Sequence, residues 1–255
     1  MRIILITQSD PFYLAPNIKY LIKSLPNHSK IVATVLLEVS PFGKQESFIK
    51  KIKRTHDIFG SRFFIYYGFR YFISMLNPKQ SVEKVLTRKD INIIRLKNSI
   101  NHSDSISQIK SFSPDLLISI AGNQIFKKVL IDLAPKGCLN LHTSLLPKYR
   151  GLMPSFWVLK NNEKETGVSL FFVDEGIDSG PIIVQKRIPI SEEMTQAELI
   201  KLSKKIGMKI IIEAINLINR GDYQLISNPE KEKTYFSFPT RKDVKEFYKA
   251  GKRFY

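Results

Sequence analysis

Short apolar runs alternate with segments of helical spacing through the first two-thirds of the chain, and this alternation restricts the folds it can adopt. Strands that are buried on both faces form continuous apolar runs. A strand–helix–strand order favours a parallel sheet covered by helices, so we expect an α/β fold with a mostly parallel central sheet. The predicted strands are residues 2–7, 31–37, 92–96, 116–121, 138–142, 167–173 and 182–190, and the predicted helices are 16–25, 103–112, 124–133, 154–160 and 195–221.

The composition is that of a globular protein. The chain has 255 residues, of which 43% are hydrophobic and 25% charged, and this suits one α/β domain with a short appendage. We expect a domain over residues 1–221 and a C-terminal extension over 222–255. No apolar run approaches the ~20 residues of a transmembrane helix, and the N-terminal segment lacks a signal-peptide pattern. The single cysteine, Cys138, cannot form an intramolecular disulfide and is expected to be buried. These features favour the cytoplasm.

The formal net charge of +17 is the unusual property of the composition. A strongly basic protein attracts anionic partners, which here means nucleic acid, a phosphorylated substrate or an acidic membrane surface. Solvated lysines on a lysine-rich chain explain the same charge without any partner. The charge alone does not decide between these interpretations.

The segment 47–77 interrupts the alternation, and we predict that it is a basic, aromatic helical insertion. Basic residues interleaved with aromatic ones suit peripheral contact with the inner membrane surface or stacking on bases. Aromatic residues equally cover a helix that packs on a sheet or at a homodimer contact. The basic residues are Lys50, Lys51, Lys53, Arg54, Arg62 and Arg70, and the aromatic residues are Phe59, Phe63, Phe64, Tyr66, Tyr67, Phe69, Tyr71 and Phe72.

An amide and an imidazole follow each other at strand spacing in the predicted strand 138–142. Asn140 and His142 project to the same side of such a strand, close to its carboxyl end, where open α/β sheets bind ligands. The Asn140 amide can donate to an oxygen that becomes negative, and His142 can donate or move a proton. A glycine-punctuated loop downstream carries Asp174 and Asp178, either of which can orient the imidazole. These groups suit acyl transfer.

Three sequence segments together resemble the folate-dependent formyltransferases. They are the run 137–151, which reads Gly-Cys-Leu-Asn-Leu-His-Thr-Ser-Leu-Leu-Pro-Lys-Tyr-Arg-Gly, and the shorter segments 165–168 and 174–180. This group includes methionyl-tRNA formyltransferase, glycinamide ribonucleotide transformylase and the sugar N-formyltransferases. The strong similarity covers about residues 114–190, and residues 1–39 are compatible with the first βαβ unit of the family. The resemblance implies a Rossmann-like formyltransferase fold.

The resemblance also implies roles for individual residues. Asn140, His142 and Asp178 would be the catalytic residues, the donor would be 10-formyltetrahydrofolate, and no metal would take part. Asn140 and His142 would hold the developing oxyanion, while Asp178 would act on the proton through His142 or a water. Ser144 would shape the turn or bind the donor. The implied folate contacts are Ile120, Ala121, Gly122, Asn123, Val173, Asp174 and Gly176.

Two nearby charged residues have alternative interpretations. Asp174 is the second candidate for the catalytic carboxylate, or it stabilises its own loop through hydrogen bonds to backbone N–H groups. Arg150 anchors an acceptor phosphate or forms a structural ion pair.

The acceptor amine is open on sequence grounds. The tail from residue 222 is too short for the C-terminal β-barrel domain of methionyl-tRNA formyltransferase, and the phosphate-binding glycine pattern of glycinamide ribonucleotide transformylase is missing. We therefore expect a phosphorylated small-molecule amine, such as an amino sugar linked to a nucleotide or a lipid. The alternatives are formylation of methionyl-tRNA, hydrolysis of 10-formyltetrahydrofolate and a folate-binding module without catalysis.

Overall fold

One large sheet forms the centre of the protein in the computed structural model, which describes residues 1–39, 47–76 and 81–255. The strands are β1 (Arg2–Gln8), β2 (Lys30–Leu37), β3 (Asn92–Ile94), β4 (Leu116–Ile120), β5 (Cys138–His142), β6 (Arg150–Gly151), β7 (Glu165–Phe172), β8 (Ile182–Pro189) and β9 (Tyr235–Phe236). The large sheet has the strand order β3-β2-β1-β4-β5-β7-β8, and the short strands β6 and β9 form a separate pair.

The first five strands of the sheet run parallel, and β7 and β8 add an antiparallel edge. Successive side chains of β1 enter two different cores, because alternate residues of a strand face opposite sides of a sheet. Ile3 and Leu5 belong to the larger core, and Ile4 and Ile6 belong to the smaller one. This arrangement confirms the predicted mostly parallel α/β sheet.

Helices cover both faces of the sheet. They are α1 (Leu14–Lys23), α2 (Phe48–Leu76), α3 (Val82–Thr87), α4 (Ser103–Lys110), α5 (Lys128–Ile131), α6 (Pro154–Lys160), α7 (Gln196–Arg220) and α8 (Arg241–Lys249). The larger core lies under α1, α3, α6, α7 and α8, and the smaller core lies under α4 and α5. A capping box at Thr195 and Glu198 begins α7, and Gly221 ends it in the left-handed region with φ 70°.

The predicted insertion is helical, as α2, and its predicted end at residue 77 lies outside the described residues. Gly60 interrupts the helix with φ 81° and ψ 171°, a conformation that only glycine adopts readily. Its inner aromatic residues pack on the rest of the chain: Phe63 stacks on Phe59 at 4.4 Å between ring centroids and meets Phe254 edge-on at 4.9 Å.

The prediction of a helix over 124–133 is largely wrong, because helix forms only over Lys128–Ile131. Two side-chain hydrogen bonds hold the residues before α5 in a non-helical conformation. The Gln124 amide oxygen accepts from the Ile100 N–H at 2.9 Å, and the Asn101 amide oxygen accepts from the Lys127 N–H at 2.8 Å. The sequence pattern does not predict the elements α3, α8, β6 and β9.

The residues after α7 pack against the domain. Strand β9 pairs in parallel with β6, and the aromatic rings of Phe247 and Phe254 are fully buried. The boundary at residue 221 between a domain and an extension stays a prediction. Across the described ranges, none of the helices combines the length and apolar character that crossing a bilayer requires.

Candidate active site

Strand β5 brings Asn140 and His142 to the carboxyl end of the parallel part of the sheet. The strand lies between β4 and β7, with Asn140 opposite Ser119 on one side and Phe171 on the other. The chain then turns through a cis peptide bond between Leu146 and Pro147. The site therefore lies where the sheet changes from parallel to antiparallel pairing.

The two ring nitrogens of His142 have different partners. Nε2 lies 2.7 Å from the backbone oxygen of Tyr149, and Nδ1 lies 3.5 Å from Oδ2 of Asp178. A carbonyl oxygen only accepts hydrogen bonds, so Nε2 carries a proton. Nδ1 is therefore the nitrogen at which the second proton of the ring is gained or lost, and it faces a carboxylate.

Asp178 is held towards the imidazole by backbone groups. Its Oδ2 accepts a hydrogen bond from the Gly151 N–H at 2.8 Å, and its own backbone is in the left-handed region with φ 49°. Its side chain is 14% exposed, against 8% for that of His142. The pair is thus largely shielded from water, which strengthens the interaction between the two groups.

Asn140 completes the group of three predicted residues. Its side chain is half-buried, and within the described part of the chain its amide has no recorded hydrogen-bond partner. Asn140, His142 and Asp178 all line one cavity of about 520 Å³. An unpaired amide beside an imidazole–carboxylate pair provides hydrogen-bond donors for a ligand together with a group that can move a proton.

The same cavity is lined by seven of the eight residues expected to contact folate. After β4 the chain bends at Ala121, whose φ is 57°, and Gly122 follows where a Cβ atom would lie 2.5 Å from the Ser119 hydroxyl oxygen. The bend exposes this strand end to the cavity. The seven residues are Ile120, Ala121, Gly122, Asn123, Val173, Asp174 and Gly176.

Ser144 is the eighth residue, and it is fully buried away from the cavity lining. Its hydroxyl donates to the backbone oxygen of Lys148 at 2.8 Å. Of the two roles considered for Ser144, this hydrogen bond favours shaping the turn.

Asp174 and Arg150 both have partners within the protein. Asp174 Oδ1 accepts from the Gly176 N–H at 3.1 Å and from the Ser179 hydroxyl, as expected for a residue that stabilises its own loop. The Arg150 guanidinium is buried and forms an ion pair with Glu230. The structure thus favours the structural interpretation of both residues.

Asn228 holds the loop that carries Asp178, and sequence reasoning did not identify it. Its Nδ2 donates to the backbone oxygens of Asp178 and Gly180, each at 2.9 Å. Arg150 Nη2 in turn donates to the Asn228 amide oxygen at 2.9 Å. Fifty residues separate Asn228 from Asp178 along the chain, so no local pattern could have indicated the contact.

Lys204 is a second residue that sequence reasoning missed. It lies on α7, lines the cavity, and has no recorded hydrogen bond or ion pair among the described residues. Burial lowers the pKa of its ammonium group, and the charge of Asp10, which also borders the cavity, acts weakly in the opposite direction. An unpaired, desolvated cation in a cavity is suited to bind an anionic group.

Residues 73–215, which are more than half of the chain, match the formyl transferase family, and the chain belongs to that family. Methionyl-tRNA formyltransferase of Kosmotoga olearia is 38% identical over 163 residues, which are 64% of this chain and 52% of that protein. The chain spans about half the length of the curated relatives it matches.

Two solved structures share the fold. The sugar 3N-formyl transferase WlaRD, determined in the presence of dTDP and 5-N-formyl-THF, has a TM-score of 0.58 at 21% identity, with 93% of this chain and 69% of that chain covered. Glycinamide ribonucleotide transformylase 1 from Symbiobacterium toebii has a TM-score of 0.62 at 16% identity, with 89% and 94% covered. At these identities the likeness extends to the fold alone.

Proposed function

We propose that this protein is an N-formyltransferase that transfers a formyl group from 10-formyltetrahydrofolate to the amine of an anionic acceptor. The observation that carries the proposal is the meeting of Asn140, His142 and Asp178 at one cavity in a chain of the formyl transferase family. The bound donor supplies the formyl carbon that the amine attacks.

The residues of the chain stabilise charge and move the proton. The Asn140 amide donates to the formyl oxygen as that oxygen becomes negative. His142 Nδ1 takes up the proton that the attacking amine loses, directly or through a water, because Nε2 is already protonated and bound to Tyr149. The Asp178 carboxylate stabilises the imidazolium that results. The same proton then passes to N10 of the donor as the bond between N10 and the formyl carbon breaks, so that tetrahydrofolate leaves and the acceptor keeps the formyl group.

The cavity fits a folate donor in size and in polar groups. Its volume of about 520 Å³ is within the ~300–1,000 Å³ range of small-molecule sites. Asn123 Nδ2 donates to the backbone oxygen of Glu38 at 2.6 Å. The Asn123 Oδ1 atom is buried and has no hydrogen-bond partner within the described ranges. An unpaired acceptor of this kind is costly unless a ligand satisfies it. The N–H groups of a pterin ring would do so, with Ile120, Ala121, Gly122, Val173, Asp174 and Gly176 as further contacts.

The unpaired Lys204 supports an acceptor that carries negative charge. It borders the same cavity as the catalytic residues, at the side formed by α7 and the end of β1. A phosphate or carboxylate on the acceptor would offset the cost of burying the ammonium group. An amino sugar linked to a phosphate fits this requirement.

Formylation of methionyl-tRNA is the second candidate function, because the 38% identity to a methionyl-tRNA formyltransferase favours it. The phosphates of an RNA would also suit the net charge of +17. Hydrolysis of 10-formyltetrahydrofolate needs the same three residues, with water in place of the amine.

The test is turnover of 10-formyltetrahydrofolate by the purified protein with separate acceptors: none, nucleotide-linked amino sugars, amino sugar phosphates and methionyl-tRNA. We expect turnover that depends on an anionic small amine. Turnover without any amine would establish a hydrolase instead, turnover with methionyl-tRNA alone would favour the second candidate, and no turnover in any arm would contradict formyl transfer.

A further inference from the structure

The outward face of the second half of α2 exposes a stripe of large apolar side chains. Ile65, Phe69, Phe72 and Leu76 recur at helical spacing and therefore share one face. They are 68%, 65%, 56% and 66% exposed, and Ile73 and Met75 beside them are also exposed. Contiguous exposed apolar surface of this kind marks an interaction site.

The opposite face of the same helix already has its partner within the chain. Phe63 packs on Phe254, and Tyr67 lies 3.2 Å from the Tyr13 hydroxyl, oxygen to oxygen. Arg70 Nη1 donates to the same Tyr13 hydroxyl at 3.1 Å. Helix α2 is therefore attached to the rest of the chain through its inner face, and the outer stripe takes no part in these contacts. A helix that is apolar on both sides is expected to be covered on both sides.

Charge distinguishes between the kinds of partner that could cover the stripe. The segment Phe48–Leu76 contains six lysines and arginines and one acidic residue, Asp57. The neighbouring α8, whose Arg241 donates to the Asp57 backbone oxygen at 3.0 Å, exposes Lys242, Lys245 and Lys249. A second copy of this chain would bring one +17 charge onto another, and a nucleic acid would leave the aliphatic side chains without contacts. An anionic lipid surface satisfies both the apolar stripe and the positive charge of the first half of α2 and of α8.

We propose that the Ile65–Leu76 face of α2 docks onto the surface of an anionic lipid bilayer. The stripe enters the boundary between headgroups and acyl chains, and exposed lysines and arginines of the first half of α2 and of α8 contact the headgroups. Tyr13 contacts the inner face of α2 and also borders the catalytic cavity. Docking therefore holds the cavity one side chain away from the membrane-bound helix. This inference does not depend on the identity of the formyl acceptor.

Flotation of the purified protein with lipid vesicles tests the proposal. We expect wild-type protein to float with vesicles that contain phosphatidylglycerol and much less with vesicles of phosphatidylcholine alone. The variant Phe69→Ser/Phe72→Ser should partition onto the anionic vesicles at least about tenfold more weakly, because two apolar side chains no longer insert. The matched control, Val129→Ser/Leu225→Ser, removes two exposed apolar side chains elsewhere and should float like wild type.

Three results would overturn the proposal: wild-type protein that stays unbound to anionic vesicles, equal flotation of the α2 variant and wild type, or a wild-type dimer in light scattering that the α2 variant converts to a monomer. Circular dichroism melting establishes that the variants are folded. Should the double variant fail to fold, Ile65→Ser makes the same comparison with a single change.

Discussion

The partners of His142 determine where its second proton resides. Nε2 lies 2.7 Å from the Tyr149 backbone oxygen, so the proton exchange that we propose with the substrate takes place at Nδ1, beside Asp178. The Gly151 N–H donates to Asp178 Oδ2 and thereby orients the carboxylate. The imidazole and the carboxylate therefore act as one unit, and changing either should affect the same step.

We expect His142→Ala and Asp178→Asn each to lower kcat by at least about 10²-fold, the usual minimum for loss of general acid–base catalysis. Asp178→Asn keeps an oxygen for the Gly151 N–H and removes the charge, so its melting temperature should stay close to that of wild type. Steady-state kinetics and thermal melting measure both effects. Near wild-type kcat in either variant would remove that residue from the mechanism.

We expect the Lys204 ammonium group to lower the stability of the folded protein and to strengthen binding of the anionic acceptor. Its pKa is lowered by burial, so between the folded-state pKa and the ordinary pKa near ~10.4 the unfolded chain binds more protons, and wild-type stability rises with pH across that interval. Lys204→Met should therefore raise the melting temperature at neutral pH, reduce this pH dependence, and raise KM for the anionic acceptor about tenfold or more.

Lys205→Met is the matched control, because Lys205 is the next residue of α7 and is exposed to solvent. It should leave the melting temperature, its pH dependence and KM unchanged. A Lys204→Met variant with an unchanged KM for every anionic acceptor would show that the ammonium group does not contact the acceptor.

At the scale of elements, the loop between β7 and β8 depends on the segment that follows α7. Asn228 bonds the backbone on both sides of Ser179 and is itself held by Arg150. A Cβ atom on Gly180 would lie 1.8 Å from the Phe172 oxygen, so the loop closes tightly over the end of β7. The position of Asp178 is thus set by contacts distant in sequence.

Asn228→Ala should lower kcat more than it raises KM for the donor, because it loosens the Asp178 backbone without removing a cavity side chain. We expect a fall in kcat of about tenfold and a melting temperature lowered by the loss of hydrogen bonds worth ~1 kcal/mol each. Asn219→Ala, near the end of α7, serves as the control. An Asn228→Ala variant with unchanged kcat would show that Asp178 is held without this contact.

The sequence predicted the elements that carry the proposed catalytic residues but not the contacts that hold Asp178 in place. Strand β5 matches the predicted range, Cys138–His142, because an apolar run bounded by a glycine and a turn is a local pattern. The predicted helix over 124–133 is largely wrong because the Gln124 side chain accepts from the Ile100 N–H and the Asn101 side chain accepts from the Lys127 N–H. The bridge from Asn228 to Asp178 spans 50 residues, and no local rule describes such a contact.

At the scale of the whole molecule, the family assignment and the fold agree, and the acceptor distinguishes the members. The chain belongs to the formyl transferase family. Its relatives and structural neighbours include proteins named as a methionyl-tRNA formyltransferase, a sugar 3N-formyl transferase and a glycinamide ribonucleotide transformylase. The feature of this chain that bears on the proposed acceptor is Lys204, which lines the cavity and favours an anionic acceptor. The exposed face of α2 lies outside the cavity and bears on the proposed membrane contact.

Two cavities meet at the loop Val173–Ile177, and they give the central claim a direct test. One holds Asn140, His142 and Asp178, and the other, of about 1020 Å³, lies on the side of Lys128 and Glu230. A crystal structure of the protein with 5-formyltetrahydrofolate would locate the donor. We expect the pyrimidine edge of its pterin ring to contact residues 120–123, and the formyl group on N5 of the same ring to lie on the side of Asn140 and His142. A donor bound only in the cavity beside Lys128, away from the imidazole, would contradict the account.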